Sequence, residues 1–144
     1  MSYYRYMKTN TISQTFEDYL EQIYVFELLG TENIQSQQLA TKFDVSRAAV
    51  SKILSRLVEE GFVEKESYGS IFLTNKGRDV AKEVLDRHQT IRQFLYNIGV
   101  SADNAAIDCC KIEHVICKET LDKFKEFNKN YPKVDFTAQQ KVEK

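Results

Sequence analysis

Three side chains that can bind a metal fall close together in the stretch from Ile107 to Cys117. They are the thiol of Cys110, the carboxylate of Glu113 and the imidazole of His114. At about 100° per residue in a helix, the three occupy an arc of roughly 100°. Sulfur and imidazole nitrogen suit the softer divalent transition metals, and carboxylate oxygen suits the harder ones. The spacing is therefore typical of half of a transition-metal site.

Further ligands must come from other segments, because three donors on one helix seldom complete a site. Asp18 and Glu21 are spaced i, i+3 on a predicted helix and so share a face. His88 is one of only two histidines in the chain. Each also has an ordinary interpretation, since a pair of acids is usually a solvated helix face and a lone histidine is usually hydrogen-bonded. A neighbouring arc is predicted to pack in the core: Ala105, Cys109, Ile112 and Ile116.

Six helices and one hairpin are predicted to position these side chains. The helices span residues 15–29, 37–43, 47–60, 75–97, 102–116 and 118–128, and the strands span 62–66 and 70–73. Ser36, Ser46, Thr74 and Ser101 are the predicted helix caps. The short turn Asp44-Val45 between two helices predicts a helix-turn-helix, and the hairpin that follows predicts its wing. The fold class is mainly α with a small β-hairpin wing, in which a winged helix-turn-helix domain precedes an all-helical one.

The second helix of a helix-turn-helix enters the major groove of DNA with its N-terminal residues against the base edges. Small residues at 48 and 49 allow close approach, and Arg47 has the chemistry to contact guanine or a phosphate. The candidate DNA-binding residues are Ser46, Arg47, Ala48, Ala49, Ser51, Lys52 and Arg56, with Lys65 and Tyr68 in the wing. Winged helices also serve as protein-interaction modules, and this alternative stays open.

The composition predicts an intracellular globular protein. The 144 residues include 42% hydrophobic residues, but no apolar run is long enough to cross a membrane. The start of the chain has no apolar signal-peptide core, so the expected location is the cytoplasm. The net charge is −1, so DNA binding would depend on local clusters of basic residues. Three cysteines within nine residues are a poor disulfide framework and indicate reduced thiols or metal ligands.

The order of several short segments resembles the diphtheria toxin repressor and manganese transport regulator (DtxR/MntR) family over residues 14 to 130. The segments are Glu17 to Tyr24, Arg87-His88, Gln93 to Leu95, Ile98 to Val100 and Cys110 to Val115. The resemblance implies a homodimer joined through its C-terminal helices, which binds a double-stranded DNA operator when metal is loaded. The order of the predicted elements gives domains at 1–76 and 77–130 and a flexible tail at 131–144, and the resemblance assigns DNA binding to the first domain and metal binding and dimerisation to the second.

The resemblance also assigns ligands. Asp18, Cys110, Glu113 and His114 match the primary metal site, and Glu21 and His88 match residues that hold a second ion in the manganese-sensing branch. At the position of Asp18 the manganese branch also has an aspartate, and at the position of Cys110 the iron branch also has a cysteine. Arg92 stands where the iron branch places an ancillary glutamate. Cys117, where the family usually has a helix-starting serine, is expected to be structural.

The expected function is that of a metal-responsive transcriptional regulator that acts as a repressor. A thiolate favours Fe²⁺, Co²⁺, Ni²⁺ or Zn²⁺ over Mn²⁺, while carboxylates act in the opposite direction. Fe²⁺ is the expected ion and Mn²⁺ the next, with Co²⁺, Ni²⁺ or Zn²⁺ able to bind in vitro. The alternatives are a winged-helix regulator that responds to a small organic ligand and a protein-interaction module. An enzyme is not expected, because no general base beyond the ligands and no glycine-rich phosphate loop are evident.

Overall fold

The computed structural model describes residues 13–135, and the contacts divide the chain into two compact units. The N-terminal unit ends at Glu83 and the C-terminal unit continues from Val84. The domain limits given above, at 76/77 and 130/131, stay predictions. Residues 1–12 and 136–144, which include most of the predicted tail, lie outside the described residues.

Within the described range, six helices and a two-stranded antiparallel hairpin follow one another, as the sequence predicted. They are α1 (Gln14–Leu28), α2 (Ser36–Phe43), α3 (Arg47–Glu59), β1 (Val63–Lys65), β2 (Ile71–Leu73), α4 (Asn75–Asn97), α5 (Ala102–Ile112) and α6 (Lys118–Asn128). The predicted fold class, a winged helix-turn-helix followed by an all-helical part, is confirmed.

The turn between α2 and α3 sets the start of the helix predicted to enter the groove. Asp44 takes the left-handed conformation with φ of 53°, which its short polar side chain tolerates better than a branched one would. The Val45 N–H then donates to the Ala40 carbonyl at 3.1 Å. Ser46 caps α3 as predicted, because its hydroxyl oxygen accepts the Ala49 N–H at 3.1 Å.

The wing is a short hairpin whose inner face joins the core. Val63 pairs with Leu73 and Lys65 pairs with Ile71. Ile71 and Leu73 are buried while Phe72 between them is exposed, the alternation expected of a strand with one buried face. The Ile71 N–H also donates to the Ile34 carbonyl at 2.9 Å, so the hairpin is bound to the segment that precedes α2.

Aliphatic side chains from every element of the N-terminal unit form one core. Its fully buried members include Leu20, Ile23, Leu39, Val50, Leu54, Leu57 and Ile71. Because α3 contributes Val50, Leu54 and Leu57 to this core, its opposite face is left to solvent.

The C-terminal unit is built from the second part of α4 together with α5 and α6. Ile91, Cys109 and Leu121 form its buried core, with Leu95, Ile112, Ile116 and Phe124 packed against it. The Phe94 ring stacks on Phe124 with 3.9 Å between centroids. The Asn128 side-chain amide donates to the Thr90 carbonyl at 3.0 Å, which adds a polar contact between α6 and α4.

Several helix ends differ from the sequence prediction by one residue, and two differ in the cap residue or by more than one residue. The residue that caps α2 is Gln35 rather than Ser36, because the Gln35 N–H donates to the side chain of Gln38 at 2.7 Å. Helix α5 ends at Ile112 rather than at Ile116. Branched Val115 and Ile116 disfavour a further helical turn, and Cys117 must be extended to begin α6. Glu113, the C-cap residue of α5, keeps helical backbone angles.

Gly77 is expected to be the glycine least tolerant of a side chain. A Cβ at this position would lie 2.0 Å from the Phe62 carbonyl oxygen, and that oxygen already accepts the Thr74 N–H. Gly77→Ala should therefore lower the free energy of unfolding by about 3 kcal/mol, the upper end of typical overpacking.

Gly61→Ala is the matched control for this prediction. Gly61 has a φ of 82° and no atom near the site of a Cβ, so only backbone strain of about 1–2 kcal/mol is expected. Denaturant unfolding of both variants measures the difference. Equal stability of the two would show that the Phe62 carbonyl moves aside without cost.

Candidate functional site

The residues predicted to contact DNA lie at the start of α3 and in the wing. All nine are exposed: Ser46, Arg47, Ala48, Ala49, Ser51, Lys52, Arg56, Lys65 and Tyr68. The Tyr68 side chain is the most open of the large apolar residues in the described part of the chain, at 82% exposure. An aromatic side chain so open contributes little to the core, and its part in DNA binding stays a prediction.

Two of the three arginine and lysine side chains on α3 have internal contacts. Arg47 donates from Nη2 to the Gln37 side-chain oxygen at 2.6 Å. The Arg56 guanidinium lies 5.1 Å from the centre of the Phe16 ring, within the range of a cation–π interaction. Both contacts orient the guanidinium groups while leaving N–H donors available, because each guanidinium carries five.

Glu113 is the most deeply buried acid in the described part of the C-terminal unit, with 2% exposure. His88 on α4 places Nδ1 3.1 Å from Oε2 of Glu113, and His114 places Nε2 3.2 Å from Oε1. Each carboxylate oxygen therefore has an imidazole nitrogen beside it. Burial raises the pKa of Glu113, but hydrogen bonding from His114 and His88 outweighs it, so the pKa lies below its usual value.

Two thiols lie beside the same imidazole. The Cys109 sulfur is 3.4 Å from Nε2 of His88, and the Cys110 sulfur is 3.8 Å from Nδ1. The hydrogen bond from the Cys109 thiol and the interaction with His88 lower the pKa of Cys110 to about 5. Sharing that hydrogen bond raises the pKa of Cys109, and burial raises it further. A thiolate at Cys110 is the form that binds metal.

These donors fit a divalent transition metal. A buried carboxylate, two imidazoles and two thiols provide the oxygen, nitrogen and sulfur ligands that such ions take. The C-terminal unit thus brings together His88, Cys110, Glu113 and His114, as the sequence predicted. Asp18 and Glu21 are half-buried on α1 of the N-terminal unit, and their part in metal binding stays a prediction.

Cys109 is the donor that the sequence reasoning missed. It was expected to pack in the core, and it does so with full burial, but its sulfur also contacts His88. The spacing could have indicated that Cys109 lies near the metal ligands, since Cys109 and Glu113 are i, i+4 and lie within about 40° of each other on a helix. Cys117 caps α6, because its sulfur accepts the Thr120 N–H at 3.5 Å, and this contact fits the structural role expected of it.

Comparison with known families and proteins agrees with this arrangement. Residues 11–71 match the N-terminal DNA-binding domain of iron-dependent repressors, and residues 74–141 match the metal-binding and dimerisation domain of the same repressors. An uncharacterized helix-turn-helix transcriptional regulator of Methanocaldococcus jannaschii is 36% identical over 121 residues, which cover 83% of this chain and 97% of that protein. The chain belongs to the DtxR/MntR family of metal-dependent transcriptional regulators.

The chain spans only part of the length of some other relatives. The transcriptional regulator MntR of Salmonella typhimurium is 32% identical over 82% of this chain and 74% of its own length. The solved structure of the manganese regulator SloR superposes with a TM-score of 0.70 at 32% identity. A manganese-dependent transcriptional repressor in complex with manganese superposes with a TM-score of 0.75 at 25% identity. Each match to these two structures covers 83% of this chain but only 55% of the solved one.

The helices that the structure describes include no candidate for a membrane span. Among residues 13–135, no helix combines the length and the apolar character that a bilayer crossing needs.

Proposed function

We propose that this DtxR/MntR-family protein is a repressor that binds operator DNA as a homodimer when loaded with Fe²⁺ or Mn²⁺. The observation that carries the proposal is the buried Glu113 carboxylate with an imidazole at each oxygen and two thiols nearby. Burying that much ligating chemistry is costly unless the groups are paired or bind a metal. The exposed face of α3 supports DNA binding, and the matched dimerisation domain supports a homodimer.

Asp18 and Glu21 are the proposed ligands from the N-terminal unit, as the family resemblance implies. A site that combines them with Glu113 and the Cys110 thiolate would hold several negative charges, which repel one another without a counter-ion. A divalent ion supplies the positive charge that stabilises these groups together. Ligands drawn from α1 then fix the DNA-reading helices of a dimer at the separation that two half-sites need, about 34 Å.

The donor set supports Fe²⁺ as the physiological ion, with Mn²⁺ second. The sulfur of Cys110 favours iron, cobalt, nickel or zinc over manganese, whereas the carboxylates suit manganese. Co²⁺, Ni²⁺ and Zn²⁺ are expected to bind in vitro, because affinity rises across the first transition series and cellular availability restricts the choice.

Selection of DNA from a random pool of duplexes tests the function without knowledge of the operator. Protein loaded anaerobically with Fe²⁺, or with Mn²⁺, should retain duplexes with two half-sites about 10 base pairs apart. Protein kept in a chelator at the same salt concentration should retain almost none. Equal retention by loaded and chelated protein would exclude metal control and favour the regulator that responds to an organic ligand.

A further inference from the structure

The His88 ring has one nitrogen directed to a carboxylate and the other to a thiol. An ionised carboxylate only accepts hydrogen bonds, so Nδ1 of His88 carries the proton that it shares with Glu113 at 3.1 Å. The other ring nitrogen, Nε2, lies 3.4 Å from the Cys109 sulfur. A carboxylate that orients a histidine in this way is a common feature of metal centres.

The spacing of the three donors suits a tetrahedral ion. One nitrogen from His88 and the sulfurs of Cys109 and Cys110 all lie within 4.8 Å of one another. Bonds of about 2.3 Å to sulfur and 2.0–2.1 Å to nitrogen place the donors of a tetrahedral ion about 3.5–3.8 Å apart. The Cys109 sulfur lies 3.4 Å from Nε2 of His88, which is already this size, and the Cys110 sulfur lies 3.8 Å from Nδ1 of the same ring.

We propose that His88, Cys109 and Cys110 form a site for a thiophilic divalent cation, with Cys109 as a second sulfur ligand. The resemblance to known regulators assigns a metal to Cys110 and His88 but not to Cys109. All three residues belong to the C-terminal unit. The inference rests on the proposed function for its biological meaning, because an extra thiolate ligand would make the regulator respond less to Mn²⁺ than to thiophilic ions.

Two thiolates and an imidazole select the ion. Thiolate ligands favour Zn²⁺, Co²⁺, Cd²⁺ and Fe²⁺ and discriminate against Mn²⁺, which prefers oxygen. Cys110 is exposed and Cys109 is buried, so the ion would lie at the edge of the core with one side open to a further ligand. Binding would release the thiol protons.

Cobalt is the probe that reports the number of thiolates directly. Reduced full-length protein is titrated anaerobically with Co²⁺, and the sulfur-to-cobalt charge-transfer band in the near ultraviolet is recorded. Cys109→Ala should lose about half of the band and bind Co²⁺ at least about tenfold more weakly, the smallest loss typical of perturbing a metal centre. Mn²⁺ affinity should change much less, so the preference for Co²⁺ over Mn²⁺ should fall.

Cys117→Ser is the matched control, because it removes a thiol outside the cluster and puts a good helix cap in its place. Its spectrum should equal that of the wild type. Should Cys109→Ala not fold, Cys109→Ser keeps nearly the same volume and removes the soft ligand. A core role alone would weaken Co²⁺ and Mn²⁺ binding equally and leave the band per bound cobalt unchanged. That result would overturn the inference.

The two proposals fail in different ways. If Cys109 is no ligand, the spectrum of Cys109→Ala matches the wild type while DNA retention still needs metal. If the protein is not a metal-dependent regulator, DNA retention is the same with and without metal, while the charge-transfer spectrum of two thiolates bound to cobalt remains.

Discussion

Replacing Glu113 with alanine is expected to remove the metal dependence of DNA binding and to leave the helices folded. The variant deletes the one acid whose two oxygens contact His88 and His114. Loss of such a group costs at least about 10–100-fold in metal affinity, or about 1.4–2.7 kcal/mol per subunit. A switch from 1:99 to 99:1 needs about 5.5 kcal/mol of differential binding, so a dimer that loses about 3–5 kcal/mol in total should lose most of its response.

Glu113→Gln sharpens this test because it keeps the size of the side chain and removes only its charge. Asp108→Ala is the control, since Asp108 is an exposed acid on α5, the helix that Glu113 caps. Calorimetric metal titration, fluorescence anisotropy with labelled DNA and circular dichroism measure affinity, response and folding. A Glu113→Gln protein with the metal response of the wild type would show that this carboxylate is no ligand.

Arg47→Ala is expected to weaken binding to the selected DNA by about 1–3 kcal/mol and to relax sequence preference at one position. Arg47 is exposed at the N-terminal end of α3, beside two alanines that allow close approach. Its bond to Gln37 is on the surface, so removing it should cost little stability. The loss should therefore appear in DNA affinity and not in the unfolding transition.

Lys52→Ala is the companion variant, because Lys52 is exposed on α3 and expected to contact phosphate. It should weaken binding to all sequences alike and lower the salt slope by about one. Affinities at several salt concentrations, on selected and scrambled duplexes, separate the two behaviours. If Arg47→Ala weakens scrambled DNA as much as selected DNA, Arg47 contacts phosphate rather than a base.

Most of the fold was predictable because local chemistry and the global structure agree. Ser46 caps α3 where a serine precedes an apolar helical pattern, and α6 has the predicted bounds of 118–128. The cap of α2 was misplaced because glutamine is not a common capping residue, and Gln35 caps only through its partner Gln38. The end of α5 was misplaced because the hydrophobic period continues past Ile112 although the backbone turns.

The candidate site was predictable as a set of donor types but not as a set of contacts. Periodicity placed Cys110, Glu113 and His114 together, and they do share one region of the C-terminal unit. It assigned Cys109 to the core alone, since periodicity describes which side of a helix a residue occupies and not which atom its side chain meets. The contact with His88 arises from packing between two helices, which no local pattern encodes.

The coupling between metal and DNA is the central claim, and reciprocal titration measures it most directly. DNA affinity is measured with and without Fe²⁺ or Mn²⁺ at one salt concentration, and metal affinity is measured with and without the selected duplex. Because coupling is reciprocal, both ratios should agree and should be at least about tenfold. Tight metal binding with a ratio of one in both directions would contradict the account.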